Sequence, residues 1–243
     1  MTHRILLSLS LPLICFAVLL LIFPAPGDVR PVTTSQRQKF DESRYPIADY
    51  LAADSTDPRE QLKQRSRAER HNKSRWQINP NGLSDTTVIV DSTDQTLPSL
   101  PFEQSPIVLI GQVTDSHAYL SQDKSGIYSS FTVQVNELLK NSSKTALSSE
   151  SRIEVEREGG RVRFPSGRLH LYITDGQEMP KVGLRYVLFL SDGLGEDVFR
   201  IISAYELKDG KVYALDNLKN QKVNDGADEL TFLINLRSKA PHQ

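Results

Sequence analysis

The stretch Tyr128-Ser129-Ser130-Phe131-Thr132-Val133-Gln134-Val135-Asn136-Glu137-Leu138 decides the fold class of this chain. Phe131, Val133 and Val135 lie on one side of an extended backbone, and Ser130, Thr132, Gln134 and Asn136 on the other. Successive side chains leave a pleated strand on opposite faces, so a period of two predicts a half-buried strand. Before it, Ile107–Val113 is a continuous apolar run followed by Thr114, as expected of a strand buried on both faces, and Thr86–Val90 is β-branched throughout. After it, Ile153 and Val155 continue the alternation to Glu158-Gly159-Gly160-Arg161. The two glycines there supply the positive φ of a two-residue hairpin. Val162 and Phe164 lie on the return strand, Pro165-Ser166-Gly167 closes it, and Leu169–Ile173 follows.

Three further strands are marked. Tyr186–Leu190 ends at Asp192-Gly193, Val198–Tyr205 returns, and Glu206–Lys208 and Lys211–Tyr213 flank Asp209-Gly210, a type I′ hairpin signal. A terminal helix follows, with Asn224 or Asp225 as its cap and Asp228 and Glu229 at its positive end. Leu230, Leu233, Ile234 and Arg237 share one helix face, which Phe232 and Leu236 widen. The expected fold is mainly β: a small antiparallel OB-like barrel or sandwich over residues 84–238, its open edge or mouth covered by the C-terminal helix.

At the other end of the chain, Ile5–Phe23 is uncharged and almost wholly apolar. Nineteen helical residues span roughly 28 Å, close to a bilayer core. Residues 1–27 read either as an uncleaved membrane anchor or as a signal peptide. In the second case Pro12 leaves Leu13–Phe23 as the apolar region, and Ala25 and Gly27 form the small-residue pair at the cut. Either way the body is expected beyond the membrane, tethered to it or secreted or periplasmic. Arg30, Arg37, Lys39 and Arg44 against the single Arg4 support the opposite, cytoplasm-facing orientation. Cys15, the one cysteine, lies in the apolar run, so the body has no thiol for disulfides, nucleophilic catalysis or thiolate metal sites.

Residues 28–83 read as a polar, basic linker, solvated or marginally helical after Pro58. Seven basic residues fall between Arg59 and Arg75 against Glu60 and Glu69. An arm of this kind can also attach to anionic lipid heads. Tyr45-Pro46-Ile47-Ala48-Asp49-Tyr50-Leu51 is expected to form a turn or two, its Tyr and Leu side chains docking on the domain. The whole chain has 243 residues and a formal charge of −1, which gives no bulk signal for nucleic acid.

The segments Gly111-Gln112-Val113-Thr114, Ala118-Tyr119-Leu120-Ser121, Asp123-Lys124-Ser125-Gly126-Ile127-Tyr128-Ser129, Glu137-Leu138-Leu139-Lys140, the string from Glu156 through Gly159-Gly160 to Gly167, and Arg185–Leu190 together resemble an uncharacterised family of exported bacterial proteins. The likeness spans roughly residues 105–215 and implies an exported or membrane-anchored protein with a single β-rich domain, but no activity or catalytic residue. The opening Gly-x-Val strand and its Leu-Lys sequel are similar to the OB-like barrels of netrin and tissue-inhibitor modules. Those are extracellular binding domains with disulfides, which this body lacks.

Arg157, Arg161, Arg163 and Arg168 surround the two glycines and Phe164 and are the candidate binding residues, suited to a carboxylated or phosphorylated partner. The alternative is outward decoration, with Glu154, Glu156 and Glu158 as cross-strand ion partners. Asp115, His117 and Asp123 share a loop after the Ile107–Val113 strand and could serve a metal-dependent hydrolase, or could be solvated surface groups. His170 is expected on the strand surface, and Asp175 in a turn. Gly193-Leu194-Gly195 lacks the third glycine of a dinucleotide loop, and no Gly-x-Ser-x-Gly occurs. No cofactor is implied. The function expected is a non-enzymatic binding domain, membrane-anchored or secreted, for a protein or envelope component.

Overall fold

The computed structural model describes residues 41–52, 56–72, 78–82, 84–89, 97–192 and 198–240. From Asp41 onward these belong to one compact unit, so the domain begins well before Ser84. The apolar run 5–23 and the Gly193-Leu194-Gly195 loop lie outside the described residues. Among the described residues no helix is long and apolar enough to cross a membrane.

In chain order the elements are β1 (Ile47–Asp49), α1 (Pro58–Arg70), β2 (Thr86–Ile89), β3 (Ile107–Leu120), β4 (Ile127–Asn141), β5 (Arg152–Glu158), β6 (Gly160–Arg163), β7 (Leu169–Thr174), β8 (Arg185–Ser191), β9 (Val198–Lys208), β10 (Lys211–Ala214), β11 (Ala227–Asp228) and α2 (Glu229–Lys239). The fold is mainly β, as the alternation predicts, in two sheets with a C-terminal helix. One sheet runs β11-β10-β9-β5-β4-β3-β8, and β8 also pairs with β9, so pairing circles through β3, β4, β5, β9 and β8. The ring is uneven. β3 and β4 pair along almost their whole length, whereas the parallel β5–β9 contact joins only Glu154–Glu156 to Val198–Arg200. The other sheet runs β1-β6-β7-β2 and contains two parallel pairs, β1–β6 and β2–β7. The expectation of a purely antiparallel fold is corrected to this extent.

Curvature comes from β3, whose register against β4 shifts at Val108/Leu109, Ile110/Gly111 and Val113/Asp115. At Gly111 a Cβ would stand 2.5 Å from Val133 Cγ1, so the close approach of the two strands admits only glycine. Alternation then sorts the apolar residues. Leu109, Val113, Phe131, Val133, Ile153, Val155 and Leu188 form the inner core. Val108, Ile110, Val187, Phe189, Tyr205 and Leu207 form a second cluster on the opposite face, with Phe232, Leu233 and Leu236 of α2. The helix therefore packs on the outer wall of β3, β8 and β9 and lies against β10 and β11 at the end of the sheet. Its cap is Asp228, which accepts from Thr231 N at 2.9 Å. Asn224 and Asp225 instead bond Tyr205 Oη and Ala214 N. Leu230 and Ile234 remain exposed.

Gly159 and Gly160 do adopt positive φ (106° and 146°), but no hairpin forms there. β5 and β6 belong to different sheets, and the glycine pair carries the chain from one to the other. The hairpin is β6–β7, closed by Phe164–Arg168 with Gly167 at φ 80°. Asp209-Gly210 joins β9 to β10 with both residues at positive φ, as a type I′ turn requires.

The segment read as linker is in part structural. Tyr45 is buried, β1 replaces the expected turns by pairing in parallel with β6, and Leu51 stays in solvent. α1 starts at Pro58 as expected, capped by Asp57 accepting from Arg59 N at 2.9 Å.

Candidate functional site

The outward face of the β3–β4–β5 ladder is set by register. Tyr119 of β3 stands opposite Tyr128 of β4, whose neighbours Tyr128, Ser130 and Thr132 face Glu158, Glu156 and Glu154 of β5. α1 lies over this face. His71, just past the helix end, stacks on Tyr128 with ring centroids 3.9 Å apart and places Nε2 3.2 Å from Glu156 Oε2. Arg67, one turn earlier, pairs with Glu154, which also accepts from Ser130 Oγ at 3.3 Å. Gln122 N donates to Ala68 O, and Asp123 N to Asn72 Oδ1.

Between α1, β1 and the β3–β4 turn lies a cleft of about 350 Å³. Gln61, Gln64, Arg65 and Ala68 form its helix wall, at the three-to-four spacing of one helix face. Ala118, Tyr119, Leu120 and Tyr128 form the sheet wall, and Tyr50, Ser121, Gln122 and Lys124 the rim. Lys124 Nζ donates to Tyr50 O at 3.0 Å and lies 4.8 Å from the Tyr50 ring centroid. Burial, and then the carboxylates of β5, push the phenols of Tyr119 and Tyr128 up, so both remain neutral. The cleft thus offers aromatic surface, neutral hydroxyls, amides, the cations Arg65 and Lys124 and the carboxylate of Asp49.

The four candidate arginines do not converge. Arg157 is buried, because alternation turns it inward at the end of β5; its guanidinium donates to both oxygens of Asp216, at 2.6 and 3.2 Å, and to Glu178 O. Arg161 donates to Tyr45 O at 2.8 Å, Arg163 pairs with Asp49, and Arg168 donates to Pro80 O beside the Phe164 ring. Their partners come mainly from the former linker, while Glu154 and Glu156 are taken by Arg67 and His71. Asp115 and His117 lie on β3, not in a loop, and pair in solvent at 3.1 Å. Asp123 sits in the β3–β4 turn, accepting from Ser121 and Ser125. Among the described residues no three His, Cys, Asp or Glu are grouped to hold a metal.

A second cavity, of about 310 Å³, is lined by Arg44, Glu178, Glu206, Lys208 and Tyr213. In its wall Arg44 stands 2.7 Å from Glu206 and 3.7 Å from Glu178, and Tyr186 Oη donates to Glu206. These groups satisfy one another and tie residues 41–45 to β8 and β9.

His170 is buried, not surface decoration. It stacks on Tyr172, its Nε2 is 2.8 Å from Thr87 Oγ1, and its Nδ1 has no partner. A hydroxyl–imidazole pair resembles an activated nucleophile, but the base here lacks the third group that would orient it, and neither residue lines the two cavities. Burial, and then Arg168, hold the imidazole below its ordinary 6.5, against the opposing pull of Asp85. The unfolded chain therefore binds a proton that the folded one refuses, just below pH 6.5. Stability should fall as pH drops through that window, by up to about 1.4 kcal/mol per pH unit. Urea titrations of wild type and His170→Gln across the window should show this slope only in wild type.

The sequence matches no family model and no curated protein. The cleft escaped sequence reading because its parts are scattered over Tyr50, α1 and the β3–β4 hairpin. A signal did exist: Arg67 and His71 are four apart, and Glu154 and Glu156 two apart, the spacings of a helix face meeting a strand face.

Proposed function

We propose that this chain is an exported, non-enzymatic binding module, carried beyond the membrane by its N-terminal segment and binding a protein or envelope component in the tyrosine cleft. The observation that carries this reading is the cleft itself, lined by Tyr50, Tyr119 and Tyr128 with Gln61, Gln64 and Lys124 around them. Aromatic faces supply contact area at low entropy cost, and amides and a cation supply orientation. An OB-like barrel agrees with the circular pairing β3-β4-β5-β9-β8, and the resemblance to exported bacterial proteins and to netrin-type binding modules agrees with the role.

Titration of isotopically labelled protein with soluble peptidoglycan fragments and detergent-solubilised envelope proteins tests the reading. Amides of Tyr119, Gln122 and Lys124 should shift with one of them, and Tyr119→Ala should weaken that binding about tenfold or more. No shift with either preparation, or a shift unaffected by Tyr119→Ala, overturns it. Protease added to intact cells or spheroplasts should cleave the body; full protection in spheroplasts contradicts export.

A further inference from the structure

We infer that α1 is a movable wall of the tyrosine cleft, held closed by the Arg67–Glu154 and His71–Glu156 contacts, so that these contacts regulate access to the site. This rests on reading the cleft as a ligand site, but the motion can be measured without a ligand.

The helix is fastened in an unusual way. None of its residues is buried, and its large apolar side chain, Leu62, points to solvent at 71% exposure. Thirteen residues are too few for a stable isolated helix in water, so docking must supply what propensity does not. Among the described residues, the contacts that join it to the β3–β4–β5 face are polar and lie at its C-terminal end: Arg67, the carbonyl of Ala68, His71 and Asn72. Gln61 and Gln64, nearer the N-terminus, line the cleft.

The clamp is also poised. Glu156 is 1% exposed; Oε2 meets His71, while Oε1 is buried with no hydrogen-bond partner. A half-satisfied buried carboxylate opposes closure, because lifting α1 returns it to water. The Arg67–Glu154 pair is partly exposed, at 23% and 40%, and so open to screening by salt. Closure is thus the difference between a stacked, charge-assisted contact and the desolvation it imposes, and a ligand that contacts both walls shifts that balance.

Two readouts on the full chain test this. The first is hydrogen exchange of the α1 amides. The second is thiol labelling of Ser130→Cys, on the strand face that α1 covers, in a Cys15→Ser background. Arg67→Gln with His71→Gln should raise both rates about tenfold, without change in the inner residues of β4. The swap Arg67→Glu with Glu154→Arg should return them to within about twofold of wild type. Wild type at about 1 M salt, where screening acts within about 3 Å, should show faster α1 exchange than at low salt, which keeps the test decisive if a variant fails to fold. Unchanged rates in the double variant, or α1 exchange indifferent to salt, refute the clamp. Equal acceleration throughout β4 means global opening and also refutes it. Failure of the binding reading would leave all these rates as predicted.

Discussion

Replacing Asp216 by Ala should cost about 3–5 kcal/mol of stability, one of the two largest effects expected in this protein. Arg157 and Asp216 are 3% and 1% exposed, and their bidentate pair lies at the end of the inner core. It joins β5 to the segment after β10, and through Glu178 O to the segment before β8. Gln177 bridges to Asp216, and Tyr45 Oη donates to Gln177 O, so residues 41–45 hang on the same knot. Removing the carboxylate leaves a guanidinium buried with a single carbonyl for company. Its Nε already has no partner. The expected result is a lower urea midpoint and a melting temperature reduced by about 10 °C, at an unchanged dependence on salt because solvent ions do not reach the pair. The double replacement Arg157→Met with Asp216→Leu should recover most of the loss, since apolar groups of similar volume need no counter-charge. A loss below about 1 kcal/mol for Asp216→Ala would show that water enters this end of the core.

This knot also marks where sequence reading stops. Period-two alternation places Arg157 on the face of Ile153 and Val155, that is, inside. The alternation of Val162 and Phe164, which turns Arg161 and Arg163 outward, does not extend back across Gly159-Gly160 to Arg157. The strands themselves were legible because each carries its own periodicity: β4, β8, β9 and the Asp209-Gly210 hairpin lie where the alternation and turn residues put them. Asp115 and His117 lie on a strand and not in a loop because β3 continues past its apolar run through a register shift near Thr114, beyond which its exposed residues look like loop. Residues 41–72 look like linker in sequence because their attachment is mostly polar, through backbone pairing of β1 and the contacts of Arg44, Arg67 and His71. Such contacts leave no hydrophobic period in the sequence. The cleft depends on them, so it could not be seen until the partners were brought together in space.

The second large effect is expected at Gly159. Its φ of 106° is closed to L-residues without strain, and an added Cβ would stand 2.8 Å from Tyr172 O and 3.0 Å from Met179 Cε. The carbonyl belongs to β7 and cannot turn aside as a side chain would. Gly159 N donates to Ile127 O, and Gly159 O accepts from Ser129 Oγ, which hold the glycine between the sheets. Gly159→Ala should therefore cost about 3 kcal/mol or more, combining left-handed strain with a backbone clash. Gly160→Ala also meets an unfavourable φ, but its nearest neighbours are the side-chain ends of Ile127 and Ser129, at 3.0 and 3.1 Å, so its cost should be smaller. The damage should also be local in a telling way. Displacing β6 from the end of β5 loosens the parallel pairing with β1 and the Arg161–Tyr45 bond, so exchange of residues 45–50 should accelerate more than that of β3 or β8. Equal costs at the two glycines, or uniform acceleration across both sheets, would mean that the crossing point is not what sets the second sheet against the first.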